Sequence, residues 1–422
     1  MHPRPLHAAV LPAGPRLMDL LSAALDGTGP ALAPLADGLP YPVLRRVLDV
    51  LAPAAIETAD GTTALSGGQP VADGTAVVIA TSGSTGEPKA VELGGEALLA
   101  SARASLERIG AAHGDRWLCC LPPAYIAGTQ VLVRSLLAGV PPVISATSGP
   151  GALLRAAETG RARHTSLVPT QLQRLVEFAG PGDALARLGT ILLGGAAAPP
   201  GLLAGARGAG ASVVTTYGMS ETCGGCVYDG IPLDGVDVDI GAGSGAGSGT
   251  GGGAGGGNGR GRIRIAGPVL FSGYRLRPDL TAAATDGRWF VTSDIGSVDD
   301  SGRLRVHGRA DDVINTGGYK VLPGEVTAAV SSHPGVRDAA VIGLPDREWG
   351  ERVTVVVVPA DPGAPPALAE LRDHVGGKLP GYAAPQQLVL VGQIPALASG
   401  KPDLAALKAR LREQSGTGSV ST

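Results

Sequence analysis

The clearest chemistry in the chain lies in Thr81-Ser82-Gly83-Ser84-Thr85-Gly86-Glu87-Pro88-Lys89. Glycines let backbone N–H groups close on an anion, hydroxyls add donors, and a lysine brings a compact charge to phosphate oxygens. The segment predicts a triphosphate cradle, in preference to a plain Ser/Gly surface turn. It differs from the GxxxxGK[ST] loop, because Lys89 follows a proline and no Ser or Thr comes after it. Lysine is itself scarce here: of 34 basic residues only Lys89, Lys320, Lys378, Lys401 and Lys408 are lysines. Such a sequence disfavours lysine wherever arginine will do.

A cradle needs a rigid support. Ala76-Val77-Val78-Ile79-Ala80, directly before it, is a continuous apolar run of the kind that makes a buried strand. Beyond the loop, helical stretches alternate with short apolar runs at Trp117 to Leu121, Thr165 to Val168, Thr190 to Leu193 and Ser212 to Thr215, which predicts a layered α/β domain with a largely parallel sheet. Residues 1 to 70 are rich in Ala, Leu, Pro and Gly, with helical patterns around Leu17 to Leu25 and Val43 to Leu51 and no chemistry of their own. Residues 241 to 261 are nearly all Gly, Ala and Ser and cannot bury enough surface to offset the entropy of ordering. A flexible surface loop is expected there, rather than a second phosphate cradle.

Gly261 to Ile265 and Gly302 to His307 alternate like half-exposed strands, and Arg309 to Asp312 is a polar break. After it come a helical pattern at Gly324 to Ser332, strand patterns at Ala339 to Gly343 and Val353 to Val358, a helical pattern at Ala367 to Leu379 and a strand pattern near Leu388 to Val391. The fold class expected is α/β: a large N-terminal α/β domain with layered sheets (1–310), a smaller hinged C-terminal α+β domain (311–412), and a disordered tail (413–422).

Bulk properties exclude several functions. A chain of 422 residues exceeds one growing core, which also argues for more than one domain. A formal charge of −3 does not supply the basic face that nucleic acid or an anionic membrane demands. No apolar run reaches the roughly 20 residues needed to span a bilayer, and no basic-then-apolar leader opens the sequence, so a cytoplasmic protein is expected. Cys119 and Cys120 are adjacent and Cys223 and Cys226 form a lone CxxC, which suits buried reduced thiols better than a disulfide framework or a metal site. His164 and His307 lie in apolar, strand-like settings and read as structural.

Two further segments carry a resemblance: Tyr217-Gly218-Met219-Ser220-Glu221-Thr222, and Gly308-Arg309-Ala310-Asp311-Asp312-Val313-Ile314-Asn315-Thr316-Gly317-Gly318-Tyr319-Lys320-Val321-Leu322-Pro323-Gly324-Glu325. With the cradle, they make the sequence, over roughly residues 75 to 410, resemble the acyl-CoA synthetase, non-ribosomal peptide adenylation and luciferase superfamily of adenylate-forming enzymes. The resemblance implies ATP, Mg²⁺ and coenzyme A as partners in two half-reactions. Thr81, Ser82, Gly83, Ser84, Thr85 and Gly86, with Lys89, would hold the β and γ phosphates. Gly194, Gly195, Ala196 and Ala197, with Tyr217 and Gly218, would flank adenine. Ser220 would meet the α-phosphate and Glu221 would bind the metal, as a hard oxygen ligand suits it; the plainer alternative is a solvated loop carboxylate. Asp294 would hold the ribose hydroxyls, helped by Arg309, unless it merely caps a turn. Asp311 would be the hinge, and Gly317 and Gly318 would line the passage for the pantetheine arm. Pro395 to Leu407 resembles the superfamily's C-terminal Gly-Lys motif, which makes Lys401 the catalytic lysine of adenylation.

Three runs, Thr165 to Leu172, Leu192 to Ala197 and Ser220 to Gly230, resemble the branch of that superfamily which ligates o-succinylbenzoate to CoA in menaquinone synthesis, in its short actinobacterial form. Substrate would then lie against Tyr125 to Gln130, including Gly128, against Gly194 to Ala198, and against Gly218 to Cys223, including Met219 and Thr222. A dicarboxylate also needs a cation for its second carboxylate, for which Arg134 is the candidate. The chain departs from the superfamily's pattern in having Tyr125 where a histidine is usual and Pro402 after the lysine. Other readings stay open: an aryl or fatty acyl-CoA ligase, a stand-alone adenylation domain, or a nucleotide-binding protein without catalysis. A homodimer is one assembly open to it.

Overall fold

The computed structural model describes residues 3–82, 88–145, 149–180, 182–241, 259–397 and 400–416. Gly83 to Gly86 of the cradle and most of the glycine tract (242–258) lie outside them. The chain forms two compact units, one of Met1–Gly195, Gly205–Asp239 and Arg264–Thr292, the other of Ala196–Ala204, Ile240–Ile263 and Ser293–Thr422.

The first unit contains two seven-stranded sheets. One runs Gly273–Tyr274, Pro88–Gly94, Thr75–Ser82, Ala31–Leu35, Leu6–Val10, Ala55–Thr58, Gly61–Ala64. Thr75–Ser82 is the buried strand its apolar run predicts, with Ala76, Val77, Val78 and Ile79 all inside. The helices Pro15–Leu25 and Tyr41–Leu51 also match their patterns. Three strands before residue 60 were not expected. Ala31–Leu35 reads Ala-Leu-Ala-Pro-Leu, with no β-branched residue to mark it, yet it is buried throughout and pairs in parallel with Leu6–Val10.

The second sheet runs Ile231–Pro232, Gly224–Tyr228, Ser212–Met219, Thr190–Leu193, Ala162–Leu167, Arg116–Cys119, Val143–Ile144. Its last five strands are parallel, as the alternating pattern predicts. Parallel strands deliver their C-terminal ends to one edge, and that edge is where open α/β sheets bind ligands. Here the edge carries Cys120 after Arg116–Cys119, Gly194 after Thr190–Leu193, and Ser220 after Ser212–Met219.

In the second unit Leu304–Arg309 lies antiparallel to Trp289–Val298. A further sheet runs Tyr319–Val321, Ile314–Thr316, Gly350–Pro359, Val336–Asp346, with Gln387–Leu390 parallel to Gly350–Pro359. Val341, Val353, Val355 and Val357 cluster with Val326, Val330, Leu371 and Val375 of two helices. Ala340, Ile342, Val356 and Val358 cluster instead with Leu407 and Leu411. The unbroken valine run thus requires cover on both faces. The second cover is the helix Leu404–Gly416, which corrects the sequence expectation: Glu413, placed at the start of a disordered tail, lies within that helix, and residues 417–422 are outside the described ones.

Cys119, Cys223 and Cys226 are buried and Cys120 nearly so; all four are free. Burial pushes the thiols of Cys119 and Cys226 up to about 12 and that of Cys120 to about 11, with Cys223 raised further. The thiolate is the reactive form, so the native protein should resist iodoacetamide at pH 8 and label at all four positions only after unfolding. Rapid labelling of any cysteine in the native protein, seen by mass spectrometry, would contradict this packing.

Candidate active site

The strands Thr75–Ser82 and Pro88–Gly94 form an antiparallel hairpin with Thr81 opposite Lys89. Thr81 Oγ1 donates to the Lys89 carbonyl at 3.3 Å, which ties the mouth of the cradle. Gly273–Tyr274 runs along the outer edge, Tyr274 opposite Val91. Lys89 Nζ lies 5.5 Å from the centroid of the Tyr274 ring, within cation–π range. The Tyr274 hydroxyl donates to Glu221 Oε1 at 2.8 Å, and the Phe271 N–H donates to the Glu221 carbonyl at 2.8 Å.

Tyr274 therefore joins the cradle lysine to Glu221, and the sequence reading missed it. Its only local signal is an aromatic between Gly273 and Arg275. Arg275 fixes it in place: the guanidinium is buried and donates to the carbonyls of Leu51, Ala52, Gln69 and Pro70 and to Glu92 Oε1 at 3.1 Å.

Ser212–Met219 ends in the tight helical turn Ser220–Thr222. Its pairing with Gly224–Tyr228 shifts register between Tyr217 and Gly218, and a Cβ on Gly218 would stand 2.0 Å from the Gly224 carbonyl oxygen. Only glycine permits that approach. Thr222 is fully buried; its hydroxyl accepts from the Met219 N–H at 2.9 Å and donates to the Gly224 carbonyl at 2.7 Å. It shapes the turn from within rather than presenting its hydroxyl to a substrate, a correction to the sequence reading. Ser101 Oγ and Gln130 Nε2 hold the Cys223 carbonyl at 3.1 and 2.8 Å. Ser220 and Glu221 are thus presented on a braced turn.

Tyr125 caps the helix Ile126–Ala138, and burial raises its phenol above the ordinary value. Gly128 is buried in the first turn of that helix, and Arg134 is buried two turns on, against Trp117 and Ser166. Gly194 is half-buried, whereas Gly195 and Ala196 are exposed; Met219 is half-buried.

In the second unit Asp294 and Arg309 stand directly opposite one another, which brings the two expected ribose residues together. Arg309 also reaches Asp311 at 3.5 Å. His307 has a structural setting: Nε2 meets Ser297 Oγ at 2.8 Å and Nδ1 meets Glu325 at 3.2 Å, with Arg260 on the same carboxylate at 2.9 Å. His307 and Arg260 hold that carboxylate below its usual range. His164 is similarly bound to Asp115 at 3.2 Å. Gly317 and Gly318 form the two-residue turn between Ile314–Thr316 and Tyr319–Val321, with φ of 56° and 82°. Such a hairpin turn demands left-handed backbone at both positions whatever else the glycines do. Lys401 is exposed in a tight loop where its carbonyl accepts from the Leu397 N–H at 2.8 Å, and the Asp403 N–H donates to Pro395 at 2.8 Å. Pro402, opposite Ala396, has no hydrogen bond to lose there.

The AMP-binding enzyme model matches residues 30–275, and the AMP-binding enzyme C-terminal domain model matches residues 325–401. The chain belongs to the AMP-binding enzyme family. It is 44% identical over 390 residues to the probable 2-succinylbenzoate–CoA ligase of Mycobacterium tuberculosis, covering 89% of this chain and 96% of that one. Among solved structures it is similar to the o-succinylbenzoate CoA synthetase of Bacillus subtilis in complex with the acyl-adenylate intermediate, with TM-score 0.79 and 26% identity over 97% of this chain and 88% of that one. It is also similar to the amide bond synthetase of Marinactinospora thermotolerans, with TM-score 0.81 and 27% identity over 97% and 90% of the two chains. These AMP-binding enzymes share the large N-terminal and small C-terminal domains that the sequence led us to expect. No helix among the described residues is long and apolar enough to cross a membrane.

Tyr274→Phe removes one hydrogen bond to a carboxylate and leaves the ring over Lys89. It should lower kcat/KM for MgATP about tenfold and raise the Mg²⁺ concentration needed for half-maximal rate, with little change in Tm. Initial rates across a Mg²⁺ titration test this; an unchanged Mg²⁺ dependence would remove Tyr274 from the site.

Proposed function

We propose that this chain is an ATP-dependent acid:CoA ligase that converts 2-succinylbenzoate to its CoA thioester through an acyl-adenylate, in menaquinone biosynthesis. The observation that carries the proposal is the junction of Lys89 and Glu221 across Tyr274, in a chain of this likeness to ligases of that name. A phosphate-seeking ammonium and a carboxylate held by one neutral donor suit a nucleotide triphosphate with a divalent ion. Tyr274 occupies Glu221 Oε1, and the second oxygen suits a hard cation whose other ligands come from phosphates and water. Mg²⁺ bound there would offset charge on the nucleotide phosphates.

In the first half-reaction a carboxylate oxygen of the acid attacks the α-phosphorus, and the bond to the pyrophosphate oxygen breaks. Lys89 and the cradle from Thr81 would hold the leaving pyrophosphate, and Ser220 the α-phosphate. Asp294 and Arg309 would fix the ribose, while Tyr217, Gly195 and Ala196 would flank the base. Lys401 would lie between the carboxylate and the α-phosphate, where two negative groups must approach. In the second half-reaction the CoA thiol attacks the acyl carbon and AMP leaves. One lysine cannot serve both steps, so residues from Asp311 onward would turn as a small domain, bringing Gly317 and Gly318 to the pantetheine arm. We place the reaction in the cytoplasm, with a small diacid and no nucleic acid as partner, and with a monomer or homodimer as the working form.

Incubation with ATP, Mg²⁺, CoA and a panel of acids should yield o-succinylbenzoyl-CoA; turnover of benzoate or long-chain acids without it would overturn the specificity. Lys401→Ala should reduce acid-dependent pyrophosphate release about 100-fold and leave thioester formation from supplied acyl-AMP within about threefold of the parent. Equal loss in both half-reactions would contradict the two-state account.

A further inference from the structure

Three arginines of the first unit lie inside the protein among its described residues, and two of them give both terminal nitrogens to backbone carbonyls. Arg4 donates to the carbonyls of Ala24, Gly29, Asp73 and Thr75. Arg275 has its four carbonyls and Glu92. Arg134 is different. It is 3% exposed, its Nη1 reaches Ser166 Oγ at a long 3.4 Å, and its guanidinium lies over the Trp117 ring at 4.9 Å. The Tyr228 hydroxyl is the other group acting on it, and that oxygen already shares a 2.7 Å hydrogen bond with Ser105.

No carboxylate among the described residues pairs with Arg134. Asp115, which joins the same cluster through His164, is already bonded to His164 at 3.2 Å and to Arg163 at 3.3 Å. Arg134 Nε, Trp117 Nε1 and His164 Nδ1 are buried without partners. A guanidinium enclosed by neutral hydroxyls and an indole is unfavourable until an anion joins it.

The place of Arg134 says which anion. Ser166 is the second-last residue of Ala162–Leu167, at the sheet edge where the neighbouring strands end and where Ser212–Met219 leads into Ser220 and Glu221. The helix Ile126–Ala138 starts after Arg116–Cys119, at Tyr125, and side chains on a helix lean toward its N-terminus, so the Arg134 head points back to that edge. We propose that Arg134 receives the carboxylate of the substrate that is not adenylated, and so makes the enzyme select a diacid over the corresponding monoacid. The inference rests on the ligase reading above and names the chemistry of its acyl site. The planar fork of the guanidinium takes a carboxylate through two parallel N–H groups, and Trp117 behind it fixes the plane. Ser166 and Tyr228 then act as neutral supports.

The test compares two acids on the full-length enzyme: o-succinylbenzoate, and 4-oxo-4-phenylbutanoate, which is the same acid without its ring carboxylate. In Arg134→Met, whose apolar chain fills similar space without the charge, kcat/KM for the diacid should fall about 100-fold, chiefly through KM, while the monoacid stays within about threefold. Arg134→Lys, which keeps the charge and loses the fork, should recover about tenfold of that loss, and it carries the comparison alone if the methionine variant does not fold. A common loss for both acids, or no loss for either, would overturn the role of Arg134 while leaving the ligase reading standing. Parent enzyme that accepts the monoacid but not the diacid would overturn that reading and the inference together.

Discussion

A buried guanidinium holds Tyr274 in place between Lys89 and Glu221. Arg275 gathers four carbonyls from residues 51–70 and the carboxylate of Glu92, and so fastens Gly273–Tyr274 to the outside of the hairpin that carries the cradle. Only with that short strand captured can Tyr274 touch Glu221 and lie under Lys89. Without it, the lysine and the carboxylate would sit on separate pieces of backbone with nothing between them. The junction also moderates charge. The phenol donates to the carboxylate and its ring faces the ammonium, so neither ion neutralises the other directly.

The same bracing recurs at the second sheet. Its parallel strands send their ends to one edge, but the loops there would wander unless tied down. The turn at Ser220–Thr222 is pinned by the committed hydroxyl of Thr222 and, through Cys223, by Ser101 and Gln130 from two helices. Buried side chains thereby fix the backbone that carries Ser220 and Glu221. Arg134 has none of the backbone carbonyls that Arg275 gathers and no carboxylate such as Glu92, which is why we read it as a ligand-facing charge rather than a strut.

Much of this was legible in the sequence where one local pattern sufficed. The strands Thr75–Ser82 and Thr190–Leu193 announce themselves because burial leaves short, mostly apolar runs at their centres. Ala31–Leu35 did not, since alanine and proline favour no strand; nor did Leu404–Gly416, whose reason for being helical is the second face of a sheet made by other residues. Tyr274 was out of reach for a related cause. It stands 53 residues from Glu221, and no local pattern reveals a partner at that distance. Thr222 shows the converse: a hydroxyl beside Glu221 looks like a substrate contact until its hydrogen bonds are counted.

The central claim is that Lys89, Glu221 and the residues around them activate 2-succinylbenzoate as a mixed anhydride with AMP before any thiol takes part. Exchange of labelled pyrophosphate into ATP, followed without CoA, measures that step alone. The account predicts exchange that requires both Mg²⁺ and o-succinylbenzoate and proceeds with no CoA present. Exchange that is absent until CoA is added, or that runs equally well without the acid, would contradict it.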